Sequence, residues 1–125
     1  MKRKIQILAL MLMSFMLSSN MVLATDVTFT AGTDKSTSST LTKDGVTISM
    51  STLSRDDNYR ANASTTLTVS STSTITQIVF TCTANGTASY GPGKMGLKSG
   101  EPGSYQASTG KTGTWTGSAT SVSLQ

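Results

Sequence analysis

Ser54-Arg55-Asp56-Asp57-Asn58-Tyr59-Arg60 is the most charged stretch after residue 24, and it holds Asp56, Asp57 and Asn58 together. They could offer oxygens to a calcium ion, but they lack the spacing of an EF-hand loop, and Arg55 and Arg60 can pair with the same carboxylates. A solvated charged loop is the plainer reading, so no metal is assigned. Glycoside hydrolysis needs paired acids, and Asp56, Asp57 and Glu101 are too few and too scattered to nominate a pair. Cys82 is the single cysteine and histidine is absent. That removes the Ser-His-Asp triad, the usual base for a thiol nucleophile and the commonest zinc ligand. Cys82 then reads as a small buried hydrophobe. The expectation is a chain that is not an enzyme and needs no cofactor.

The aromatic residues offer a different chemistry. Phe29 and Phe80 fall on apolar faces, whereas Tyr59, Tyr90, Tyr105 and Trp115 each sit beside loop or turn residues. Flat rings stack on the apolar faces of sugars while neighbouring polar groups hydrogen-bond the hydroxyls. Tyr90, Tyr105 and Trp115 are therefore the candidate ligand-binding residues. Tyr90 and Tyr105, with the Gly91–Gly110 loop, would form a shallow surface for an extended polysaccharide or host glycan. For Trp115 there is a structural alternative: flanked by Gly113 and Gly117, it can pack across a core instead.

The elements that must position these groups begin after residue 24. Lys2, Arg3 and Lys4, the apolar run Ile5–Leu17 and Val22-Leu23-Ala24 have the order of a secretory signal. The run is shorter than the roughly 20 residues needed to cross a bilayer. Residues 1–24 are expected to be a signal peptide and 25–125 one small domain, secreted, at the cell surface or in the periplasm. Of ten basic residues three lie in this signal, leaving seven against six acidic ones, a net charge of +1 in place of +4. No basic stripe remains to neutralise phosphates, which argues against nucleic acid as a partner. With one cysteine there is no internal disulfide, and the fold must stand on its apolar core.

Period-2 alternation recurs along this domain. Asp26–Thr30 reads as a first strand with Val27 and Phe29 on one face. Leu41–Lys43 meets Val46–Met50 across Asp44-Gly45, the residue pair of a two-residue hairpin. Thr65–Ser70, with Leu67 and Val69 inward, is followed by the short connection Ser71–Thr74 and then by the apolar strand Thr74–Thr83, its antiparallel neighbour. Asn85-Gly86 signals a second hairpin returning through Ala88–Tyr90. Lys94–Lys111 reads as a long Gly-rich excursion, and Thr112–Gly117 and Ala119–Gln125 as a last pair of short strands. The Ser and Thr between the apolar positions are read as solvent faces of strands. The sequons Asn62-Ala63-Ser64 and Asn85-Gly86-Thr87 are as expected by chance in a chain this rich in Ser and Thr. The expected fold is an all-β, antiparallel, jelly-roll-like two-sheet β-sandwich with Ile48, Leu67, Val69, Ile78, Phe80 and Cys82 in its core.

Leu41–Ile48, Ser64–Ser71, Ile75–Cys82, Tyr90–Gly93 and Gly113–Ala119 together resemble a poorly characterised β-sandwich module of secreted and surface proteins in gut-dwelling anaerobic bacteria. The resemblance implies a β-sandwich and carries no catalytic residues. The module continues with one further Val- and Ile-rich strand, so an open edge beside Val122 and Leu124 is expected, which implies self-association, recruitment of a strand from a partner, or a domain truncated from a longer reading frame. A glycan-binding or adhesive module and a structural spacer or surface-assembly subunit are the two competing functions.

Overall fold

The computed structural model describes residues 25–50, 59, 64–82 and 91–125. These form a five-stranded antiparallel sheet in the order β1-β2-β3-β5-β4: β1 Thr40–Lys43, β2 Val46–Met50, β3 Leu67–Thr81, β4 Ser104–Thr109 and β5 Thr112–Leu124. The chain is all-β, as the alternation predicts. Every described strand joins this one sheet, and the second sheet of the expected sandwich is not among them. The hairpin β1–β2 turns at Asp44-Gly45, with φ of 47° and 78°. Both lie in the left-handed region that a two-residue turn of this hand requires, and Lys43 pairs with Val46 across it.

Two expected breaks do not occur. Leu67–Thr81 runs as one strand through Ser71–Thr74, so the proposed antiparallel neighbours are two halves of β3. Ser71-Thr72-Ser73-Thr74 contains none of the strong turn formers Gly, Pro, Asn or Asp, and its one local bond, from the Ser73 N–H to the Ser71 hydroxyl at 3.1 Å, forms without breaking the strand. The irregularity appears instead as register shifts: β3 advances from Ser70 to Ile75 while β5 goes only from Ser121 to Ala119, with a second shift before Gln77. A bulge of this kind changes which alternate residues face the core. Leu67 and Val69 face it before the bulge, Ile78 and Phe80 after it. β5 likewise passes unbroken through Gly117-Ser118.

Asp26–Thr30 is not a strand. The Asp34 carboxylate accepts the Thr30 N–H at 2.7 Å, and the amides of Thr33 and Asp34 donate to Thr30 O. This local bonding satisfies the backbone in place of a ladder. Phe29 still packs against the core, as expected.

The core lies on one face of the sheet. Leu41, Ile48, Val69 and Val122 stand opposite one another across four strands, and Met50, Leu67 and Leu124 form the next row, extended by a bridge from Leu124 to Leu97. Val122 and Leu124 are fully enclosed, and each such side chain stabilises the fold by about 1.5–3 kcal/mol. Ile48, Ile78 and Phe80 pack against this cluster from partly buried positions, and Cys82 is half-buried. β5 is an interior strand. Beside its end Gly96 N–H donates to Gln125 O (2.7 Å), Gln125 N–H to Gly96 O (3.0 Å) and Lys98 N–H to Ser123 O (3.1 Å). The expected open edge at Val122 and Leu124 is therefore closed by the segment 96–98.

Candidate functional site: two faces of one sheet

Ile78, Trp115 and Tyr105 lie opposite one another on β3, β5 and β4, a cross-strand row on the core face. Trp115 is 0% exposed. Its ring lies flat against its own strand, where only a glycine leaves room: a Cβ at Gly117 would come within 2.5 Å of Trp115 Cζ2. Gly103, with φ of 89°, approaches so closely that a Cβ there would sit 2.7 Å from Nε1. The indole N–H donates to Pro102 O at 2.8 Å, so the polar end of the enclosed ring is satisfied. Trp115 is thus a core residue, and the sugar-stacking role expected of it is corrected: no face of its ring meets solvent.

Tyr105 is half-buried. Its hydroxyl donates to Pro92 O at 2.7 Å and its ring packs at 6.3 Å from that of Phe80, tilted by 56°. The ring crosses Gly113, where a methyl group would run into the hydroxyl. Burial pushes the phenol pKa up. The segment 91–103, which lies within the expected ligand-binding loop Gly91–Gly110, crosses this face as a strap. Pro92, which opens the short 3-10 turn Pro92–Lys94, is buried, and Met95 and Leu97 pack on the core. Its continuation is β4, where the sequence predicts the Lys94–Lys111 excursion and no strand. The surface proposed for Tyr105 and the Gly91–Gly110 loop is thus largely taken up by contacts within the chain. Tyr90 lies outside the described residues, as do Asp56, Asp57, both sequon asparagines and the Asn85-Gly86 hairpin.

At the opposite end, Lys43 Nζ bonds both Asp34 carboxylate oxygens (3.0 and 3.2 Å) and Thr28 O (2.8 Å), and the Tyr59 hydroxyl donates to Asp34 O at 2.7 Å. The Thr30 amide and then Lys43 hold the Asp34 pKa below its ordinary value. Burial, with the nearby Asp34 charge, raises that of Tyr59. These contacts dock residues 28–34 onto β1 and leave no vacant ligand set. Among the described residues no group of three or more His, Cys, Asp or Glu side chains gathers, and no helix is long and apolar enough to cross a membrane.

The other face of the sheet is chemically uniform. Thr42, Thr47, Ser70 and Ser121 form one row across β1, β2, β3 and β5, and Thr40, Ser49, Thr68 and Ser123 form the next. Thr42 and Thr47 share a hydrogen bond of 2.8 Å, Thr68 and Ser123 one of 3.1 Å. Beyond the bulge the pattern continues as Gln77, Thr116 and Ser104, then Val79, Thr114 and Gln106. Lys43 is the only charged residue in the five strands, and it points toward Asp34. Neighbouring strands place these groups about 4.8 Å apart and successive rows about 7 Å apart. The sequence reading assigned the alternating Ser and Thr to solvent faces, but the rows appear only once strand register is known.

The chain matches no protein-family model, no curated protein and no solved structure.

Proposed function

We propose that this chain is an exported, non-catalytic module that binds an extended neutral glycan on the hydroxyl-bearing face of its sheet. The observation that carries the reading is that face: four strands wide before the bulge and three after it, furnished mainly with Thr, Ser and Gln, and without a charged group. Hydroxyl and amide groups in fixed rows can exchange hydrogen bonds with sugar hydroxyls, each worth about 0.5–1.5 kcal/mol net, so useful affinity needs many of them at once. A long polymer supplies that number. Such a surface offers nothing to a phosphate-rich or strongly anionic partner. The aromatic platform first expected from Tyr90, Tyr105 and Trp115 does not support this reading, because Trp115 is enclosed. The signal at residues 1–24 and a sandwich-like second layer over the core face belong to the same proposal, and N-terminal sequencing of the exported protein tests the former.

Affinity electrophoresis through gels containing neutral plant and mucin polysaccharides tests the reading. Retardation by at least one of them, reversed by the same polysaccharide in solution, is expected. Unchanged mobility throughout would favour the competing role, a structural spacer or surface-assembly subunit with no ligand of its own.

A further inference from the structure

β3 is flanked on both sides only along its first part. β2 accompanies it from Leu67 to Ser71, and Thr72 N–H adds one bond to Gly45 O at 3.3 Å, whereas β5 follows its other side as far as Thr81. Among the described residues no strand lies against the β2 side of Gln77–Thr81. The direction of the backbone groups there follows from one bond. Cys82 N–H donates to Lys111 O at 2.8 Å, so Ile78 and Phe80 also turn their N–H and C=O toward β5, and by alternation Gln77, Val79 and Thr81 turn theirs outward.

Natural sheets blunt such an edge with Lys, Pro or an inward charge. Leu67–Cys82 contains no charged residue, no Pro and no Gly. The edge also carries the exposed large hydrophobic side chain of the described chain, Val79 at 54%.

We propose that Gln77–Thr81 is a homotypic docking edge, paired antiparallel with the same residues of a second copy about a two-fold axis at Val79. That axis sets Val79 against Val79 of the partner subunit on the hydroxyl-bearing face. On the core face it sets Ile78 against Phe80 of the partner subunit. Gln77 meets Thr81 of the partner subunit. Each is a favourable cross-strand neighbour, and because the edge is uncharged, two identical copies meet without repulsion. A partner with a charged strand would gain no complementary contact here. The pairing joins the sheets of both copies and is independent of whether a glycan is bound.

Sedimentation velocity of the purified protein over a concentration series tests this, with two variants at the exposed Val79. The parent is expected to show a monomer–dimer equilibrium. Val79→Lys places two ammonium groups opposite each other and should weaken the dimer by about tenfold or more. Val79→Cys should oxidise to a covalent dimer much faster than the parent, whose Cys82 is the control, because paired Cα atoms at such a position are about 5.5 Å apart. If Val79→Lys fails to fold by circular dichroism, the cross-linking decides alone. A monomer at every concentration, a dimer indifferent to Val79→Lys, or a Val79→Cys protein that cross-links no faster than the parent would overturn the proposal.

Discussion

Gly117 has no side chain because Trp115 occupies the space: a Cβ there would lie within 2.5 Å of the ring. Gly117→Ala should therefore destabilise the domain by about 1–3 kcal/mol, and Trp115→Ala, which empties the site, by about 3–5 kcal/mol. Urea denaturation of both variants checks this, and unchanged midpoints would show that the ring is not held there. Asp34 behaves differently, because its contribution depends on pH. Its folded-state pKa is lowered by the Thr30 amide and by Lys43. The stabilisation is therefore present above the ordinary carboxylate value of about 3.9 and lost as pH falls through the lowered one. Asp34→Asn should melt below the parent at pH 7, and the gap should close as the pH falls through the lowered Asp34 value. A gap that persists in acid would mean the carboxylate charge is not the cause. Tyr59 and Tyr105 shift the other way, and a spectrophotometric titration should find both ionising above the ordinary tyrosine value of about 10.

Among the elements, the strap is the one whose removal has the clearest consequence. Gly96 and Gln125 exchange two backbone hydrogen bonds and Leu97 bridges to Leu124. Deleting Leu124 and Gln125 should release the strap, so that trypsin cuts at Lys94 and Lys98 at least about tenfold faster than in the parent. Equal cleavage rates would show that the strap is held by other contacts. Much of the sheet was legible beforehand: Asp44-Gly45 specified its hairpin, and Leu67, Val69, Ile78 and Phe80 were assigned to the core side they occupy. What failed was continuity. Ser71–Thr74 and Gly117-Ser118 look like connections because polar and small residues mark loops on average. The first lacks Gly, Pro, Asn and Asp, and its weak Ser/Thr turn tendency yields to the ladder with β5 on either side of it; the second is small to admit Trp115. β4 was lost inside a Gly-rich stretch for the converse reason, since Ser104–Thr109 alternates too weakly to announce itself without β5 beside it. Phe29 reached the core without a strand, because Asp34 had already satisfied Thr30.

At the scale of the whole molecule, the sheet divides its chemistry between two faces. The side chains that stand out in the sequence, Trp115 and Tyr105, are spent on the core face holding the strap. The unremarkable Ser and Thr form an extended, uncharged surface among the described residues. That surface could not be read as a site residue by residue, because its rows draw on strands far apart in sequence. The most direct measurement is a chemical-shift titration of the 15N-labelled chain with each neutral polysaccharide of the panel. The account predicts that amides along Thr42, Thr47, Ser70, Ser121 and Thr116 move together with at least one polymer, while the Trp115 indole N–H stays still. Shifts confined to the Tyr105 and Pro92 side, or none with any polymer, would contradict it.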